Sequence, residues 1–555
     1  MVNIIIVPFF IATMEKWLKR WYFNDKSAMK GLLKRTVFVF VYGAFCYLAQ
    51  GASENVSTNA IGLTQLQGLD ANLNGAGIHV GQAEAAIDTN GDWEVDPANV
   101  LQSGSIFTYY TNGGSSSVYP NSLGGDSGHA DVVGQIFYAP QVGIATNVAH
   151  VDNFEADYYT SDVIFAADPR NFNDFIVNQS FTFGVLDANS QEEVDSDYDD
   201  YSTKFNALFI SAVDNGGQVC APGTSYDCIG VGAYGGSSSV GPTIDNGRCK
   251  PDILAPQGET SFATPQVAGS AAILLQAGLR GDGGTGASSA TNMITIKALL
   301  LNGAVKPADW ANIPPSPLDF RYGTGVLNIF NSYEQLVGGK HVFDFTTNVP
   351  MGTAHPPVVT TTSISALSGW DFNTNTSSAS KDSVSHYFFN ATNSNGGASF
   401  SLTATLVWNR HENVTNINDL ELFLYNAGNS NLVTSSTSVV DNVQHVFVPQ
   451  LPQGRYDLQV WKAGGNDIVG NSEPYALAWA ISSESLKITE AGTNVSLSWP
   501  AYPAGFAVAA VSSLVPPAAW STNNVPPPVF TNNQEVIWLS PSSSAQFFRL
   551  QTPDF

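Results

Sequence analysis

Residues 258–269, GETSFATPQVAG, decide how this 555-residue chain is read, because they set one hydroxyl, that of Ser261, where a loop turns into a buried helix. Downstream, Val267, Ala268, Ala271, Ala272, Leu274 and Leu275 are apolar on every side, the pattern of a helix packed inside a large core. Pro265 has no N–H to donate, which predicts a place near the first helical turn. Ser261 is then expected at the helix start, where unpaired N–H groups and the positive end of the dipole favour developing negative charge. Taken alone, a Ser or Thr ahead of an apolar run is an ordinary helix cap. Partners elsewhere in the chain decide between cap and nucleophile.

A serine hydroxyl is a poor nucleophile at neutral pH, so it needs a base, a group that orients the base, and donors for the oxyanion. The base candidate is His129 in SGHADVVGQIF, with glycines at 124, 125 and 128 before it and Val132, Val133 and Ile136 after it at helical spacing. Asn215 ends the strand-like run 207–213 and precedes Gly216 and Gly217; its amide is a candidate oxyanion donor, and Asn before Gly is equally a good turn. For the orienting carboxylate, GAGIHVGQAEAAIDTNGDWEVDP offers Glu84, at the end of a strand of ordinary length, and Asp88 as the alternative.

The stretch around Ser261 resembles the nucleophile motif GTSxATPxVAG of subtilisin-like serine proteases, with Thr260, Ser261, Ala263, Thr264, Pro265, Val267, Ala268 and Gly269 in register. Glu259 departs from the family's glycine and puts the backbone geometry of this turn in question. Lys250 to Pro256 resembles the KPDxxAP lead-in, the His129 segment resembles HGTHVAG shortened by one residue with Asp131 near the second histidine, and Asn215 falls in the place of AAAGNxG. Asn178, Ser180 and Phe181 are similar to the NxSLG strand that lines the substrate cleft. Asp214 replaces a small residue, which implies an acidified primary specificity pocket with a preference for basic P1 residues. The order carboxylate, His129, Asn215, Ser261 is that of subtilisins, not of chymotrypsin or the α/β-hydrolases. The resemblance implies a three-layer α/β fold with a mostly parallel sheet, polypeptide substrates, no cofactor for the chemistry and optional structural calcium.

Acidic runs invite other readings. Asp88, Asn90, Asp92 and Glu94 alternate like the start of a calcium loop, but Trp93 stands at its glycine position and Asn99 at its bidentate position, so a solvated acidic loop is expected. Glu192, Glu193, Asp195, Asp197, Asp199 and Asp200 read as the exposed first part of a helix. The balance of 22 basic to 47 acidic residues, a net charge of −25, argues against nucleic acid or anionic membrane as a partner.

The chain divides by texture. Residues 1–51 read as an upstream extension followed, from about Met29, by a secretory signal: Lys30, Lys34 and Arg35 precede a 36–48 apolar run too short to span a bilayer. Residues 52–338 form the expected catalytic domain. Residues 339–483 carry period-two alternation, as in Leu402, Ala404, Leu406 and Trp408, and their Asp419 and Asp441 lie in marks similar to those of β-sandwich domains that follow some subtilases. Residues 484–555 read as a small accessory β module. With the signal removed, Cys220, Cys228 and Cys249 remain, and Cys220 and Cys228 flank a loop a disulfide could close. The expectation is a secreted monomeric endopeptidase. Two alternatives stand beside it: a decayed protease scaffold that binds or adheres, and an acid-active relative using Glu84, Asp131 and Ser261.

Overall fold

Strand interiors buried on both faces need a helical layer above and below. The computed structural model describes residues 58–551 except 89–90, 285–286, 354–355, 358–365, 393–399, 467, 484–485, 492–493, 502–504, 516, 524, 532–533 and 541–545; the expected signal segment, Cys46 and Asn90 lie outside the described residues. Eight strands form the central sheet: β1 (His79–Glu84), β2 (Phe107–Thr111), β3 (Gly114–Ser116), β4 (His150–Glu155), β5 (Ile176–Gln179), β6 (Leu208–Ala212), β7 (Ile229–Tyr234) and β8 (Ile253–Pro256). Their spatial order is β8-β7-β6-β5-β1-β4-β2-β3, parallel throughout except that β3 runs antiparallel to β2. This is the subtilisin-like α/β architecture the resemblance implies.

Successive residues of one strand feed two cores, as the period of two requires. Ile176, Leu208 and Ile210 pack toward α4 (Thr260–Arg280), whereas Val177 and Phe209 meet Tyr198 and Tyr201 of α3 (Ala188–Phe205). The other helices used below are α1 (Leu63–Leu69), α2 (Gly128–Tyr138), α5 (Met293–Gly303) and α6 (Ile329–Val337). Gly269 lets α4 pass closely by the segment after α2, since a Cβ there would stand 2.5 Å from Ile144.

Two antiparallel sheets follow. One holds β9 (Phe345–Pro350), β11 (Lys381–Ala391), β16 (Gly454–Lys462), β13 (Leu420–Asn426) and β14 (Asn431–Ser436) in that order; the other holds β10 (Ser368–Thr376), β17 (Ser472–Ser483), β12 (Phe400–Trp408) and β15 (Val443–Leu451). Leu402, Ala404, Leu406 and Trp408 alternate into the core between the sheets, as their spacing predicts. The intervening Thr403 and Thr405 do not face water: their hydroxyls donate to Asn302 Oδ1 of α5 at 3.0 and 2.9 Å. Strands 487–551 build a last module around Leu497, Trp499, Val508 and Ile537. It leans on the helical layer, with Phe530 edge-on to Phe330 of α6 at 5.8 Å.

The acidic face of α3 departs from expectation. Asp195 and Asp199 are fully buried. Arg248 pairs with Asp195 at 2.7 Å, and Arg410, from the loop after β12, pairs with Asp199 at 2.9 Å and Glu192 at 2.6 Å. Removing one partner of such a buried pair costs about 3–5 kcal/mol, because the other charge stays desolvated. Asp441 is likewise buried, accepting from the Cys249 N–H at 2.7 Å, and Asp419 is half-buried. The alternation of acids along α3 encodes a docking face for arginines that are distant in sequence, which local spacing does not reveal.

Candidate active site

Helix α4 begins at Thr260 with Glu259 as N-cap, so Ser261 is its second residue. Glu259 sits at φ −143° and ψ 155°, extended backbone open to any residue, and makes no side-chain cap. The family's glycine is therefore not a conformational necessity at this turn. The missing cap is supplied from a distance: Asn215 Oδ1 accepts from both the Thr260 N–H and its hydroxyl, each at 2.8 Å. That pairing fixes the amide orientation and leaves Nδ2 as the donating end.

Pro265 lies one turn deeper than its chemistry predicts, inside α4. Its absent N–H would have paired with the Ser261 carbonyl four residues back. The orphaned carbonyl instead accepts from the Ser180 hydroxyl at 2.7 Å, and that hydroxyl in turn accepts from Asn178 Nδ2 at 3.1 Å. In return the Ser261 hydroxyl donates to the Ser180 carbonyl at 3.3 Å. A proline that would weaken an isolated helix thus couples the helix start to the end of β5.

His129 is the second residue of α2, whose N-cap Ser127 accepts from the Ala130 N–H at 3.2 Å. The glycines before it have a steric purpose: a Cβ on Gly124 would lie 2.3 Å from the Trp93 indole. Glu84 closes β1, and its Oε2 is 2.9 Å from His129 Nδ1. The carboxylate is 1% exposed and the imidazole 22%, so the acid is shielded and the base stands at the rim. Burial works to lower the pKa of His129, but the Glu84 charge and hydrogen bond, with Glu259 beside them, outweigh it and raise the imidazole above its ordinary value. The ring lies 5.7 Å from that of Phe262, the neighbour of Ser261. Among the described residues no hydrogen bond joins His129 to Ser261, whose hydroxyl is turned to Ser180.

Of the two candidate acids, Glu84 makes the contact with His129. Asp88 lies in an exposed loop, where it accepts from the Asp92 N–H. Glu94 is buried and bound by Asn121 at 3.1 Å, so this acidic loop is only partly solvated. Asp131 faces the 96–99 loop, accepting from the Asp96 N–H at 2.8 Å and Asn99 at 2.6 Å, and burial pushes its carboxyl up to about 7. Asp214 occupies a left-handed backbone position at φ 88°, which accounts for the small residue usual there. Its carboxylate turns onto its own loop, taking the Asn215 N–H at 2.7 Å and the Cys220 thiol at 3.4 Å. Phe181 is buried against Phe183. Cys220, Cys228 and Cys249 are separate buried thiols, not a bridged pair, and burial raises the first two to about 12. Among the described residues no cluster of His, Cys, Asp or Glu is arranged to hold a metal ion, and no helix is long and apolar enough to cross a membrane.

One contributor escapes sequence reasoning. Gln82 is fully buried, donates to Glu84 Oε1 at 2.8 Å and to the Ala130 carbonyl at 2.9 Å, and receives the Tyr138 hydroxyl at 2.6 Å. It lies two residues before Glu84, so the two side chains leave the same face of β1. A polar residue inside a buried strand was the available signal.

Comparison with known proteins bears on this constellation directly. The model of the Subtilase family, Peptidase_S8, matches residues 88–325. The matched stretch spans His129, Asn215 and Ser261, while Glu84 lies just ahead of it. Among solved structures, tripeptidyl peptidase 2 is similar at 11% identity and a TM-score of 0.29, over 72% of this chain and 45% of that one, so this chain spans less than half of that neighbour. A periplasmic inhibitor of g-type lysozyme from Aeromonas hydrophila, PliG, is similar at 10% identity and a TM-score of 0.14, over 25% of this chain and 88% of that one. No curated protein matches the chain.

Proposed function

We propose that this subtilase domain is a secreted serine endopeptidase in which Glu84, His129 and Ser261 form the triad and Asn215 completes the oxyanion site. The observation that carries the reading is the 2.9 Å bond between the buried Glu84 carboxylate and the rim imidazole, beside a serine at a helix N-terminus. On substrate binding the Ser261 hydroxyl turns from the Ser180 carbonyl to His129 Nε2. His129 takes the proton as Oγ attacks the peptide carbonyl and returns it to the leaving amine; Glu84 holds the Nδ1 proton and stabilises the imidazolium. Asn215 Nδ2, with the Ser261 N–H at the positive end of α4, receives the oxyanion. Ser180 and Phe181 line the cleft that takes an extended chain, and any structural calcium is incidental to this chemistry.

A fluorophosphonate probe tests the reading. Labelling of the native protein that is absent in Ser261→Ala and His129→Ala supports it; a native protein that stays unlabelled while folded sinks it. The present orientation of the Ser261 hydroxyl toward Ser180 favours the second reading, a scaffold that binds peptide without cleaving it. That reading expects peptide binding and no labelling.

A further inference from the structure

Lys306, three residues beyond α5, is 6% exposed, and burial alone drives its amine down to about 7. Its Nζ makes one long bond, to the Ala304 carbonyl at 3.4 Å, and lies 5.5 and 5.4 Å from the ring centres of Trp310 and Phe447. Among the described residues no carboxylate pairs with it. The charge of Lys306 is felt by His445, itself a cation when protonated; the His445 Nδ1 is bound to the Thr405 hydroxyl at 2.8 Å and its Nε2 has no partner. In a chain with 47 acidic and 22 basic residues, a buried ammonium left without an acid is a costly arrangement that no fold requires.

The lysine lines a cavity of about 270 Å³. Three parts of the chain wall it: the α5–α6 layer, the β12–β15–β17 sheet and the last module. That size is just under ordinary small-molecule sites, which start at roughly 300 Å³, and is far more than an inorganic ion fills. The cavity is also lined by the aromatic side chains of Phe447 and Phe506 and by the neutral polar groups of Gln335, Ser401 and Ser482. Gln335 accepts from Asn302 through Oε1 at 2.8 Å, so its Nε2 is the free end, and the Ser401 and Ser482 hydroxyls pair at 3.0 Å. The last module is held tightly at this wall, where a Cβ on Gly505 would lie 2.6 Å from Val305.

One cation, several hydroxyl and amide groups and two aromatic faces match a small molecule with one carboxylate, many hydroxyls and an apolar C–H face. We propose that this cavity binds a small polyhydroxylated carboxylate of the size of one uronic acid residue, its carboxylate paired with Lys306. The site is separate from the Ser261 chemistry, and its test reads binding alone, so it stands or falls independently of the peptidase reading. Calorimetric titration of the full chain compares D-glucuronate with D-glucose, which matches its size without the charge, and with acetate, which matches the charge without the size. Glucuronate is expected to bind more tightly than either, and Lys306→Met to weaken it by roughly 10-fold or more, the loss of one charge-assisted contact. Gln335→Leu keeps the ammonium and is expected to narrow the gap between glucuronate and acetate. Equal binding of glucose and glucuronate, unchanged affinity in folded Lys306→Met, or no glucuronate binding by the native protein overturns the proposal.

Discussion

Four carboxylate–imidazole pairs occur among the described residues, and two of them join through Nδ1 at nearly the same length, Glu84–His129 at 2.9 Å and Asp457–His386 at 2.8 Å. The second continues to a hydroxyl, with His386 Nε2 2.9 Å from Thr347 Oγ1, and so has the complete hydrogen-bonded sequence that the first lacks. Yet His386 is 1% exposed and stacked on Phe345 at 4.6 Å, and its partners lie in the interior of strands. His129 stands at the rim, and next to it are two helix N-termini and an amide with a free donor. Hydrogen-bonded order among acid, imidazole and hydroxyl is therefore a poor criterion of catalysis. Access for a substrate and stabilisation of the charge it develops separate a reactive site from a structural network.

The sharpest break of this comparison comes from the serine and the base. Ser261→Ala or His129→Ala is expected to lower kcat of peptide hydrolysis by roughly 10⁶-fold, measured on a fluorogenic peptide, while His386→Ala leaves kcat within a factor of two or so and lowers denaturant stability by about 3–5 kcal/mol. A loss of hydrolysis in His386→Ala without unfolding would reverse the assignment of the two pairs. Next, Glu84→Gln is expected to cost about 10⁴-fold in kcat with little change in melting, and Asp457→Asn to do the opposite. Smaller again, Asn215→Ala should lower kcat by about 10²–10³-fold with KM nearly unchanged; a rise in KM alone would mean that the amide is only a turn.

The mildest test is pH. His129 accepts a proton only when neutral, so activity falls as pH drops through its pKa. Glu84 and Glu259 raise that pKa, so Glu259→Gln is expected to lower it and move the acidic limb of kcat/KM to lower pH. A limb that stays in place shows that Glu259 does not act on the imidazole.

Much of this was legible in advance where the determining interactions are local. The apolar run after Ser261, the glycines before His129 and the alternation of 402–408 each predict an element of the right kind in the right place. Pro265 lies a turn deeper in α4 than its chemistry predicts, since its tolerance depends on the Ser180 hydroxyl, just after β5, reaching the Ser261 carbonyl. The acids of α3 are buried where exposure is expected because Arg410 enters from the loop after β12, about two hundred residues away.

By itself the sequence determined the residue types of the chemistry, their order along the chain and the helices and strands that carry them, since caps, turns and periodicities act over a few residues. Only the tertiary structure decided that Glu84 rather than Asp88 meets His129, that Asn215 caps α4, that three cysteines stay apart and that Lys306 is buried without an acid. Those outcomes depend on strand register and on which loops pack together, and a shift of one residue in β1 would turn the Glu84 side chain to the opposite face of the sheet.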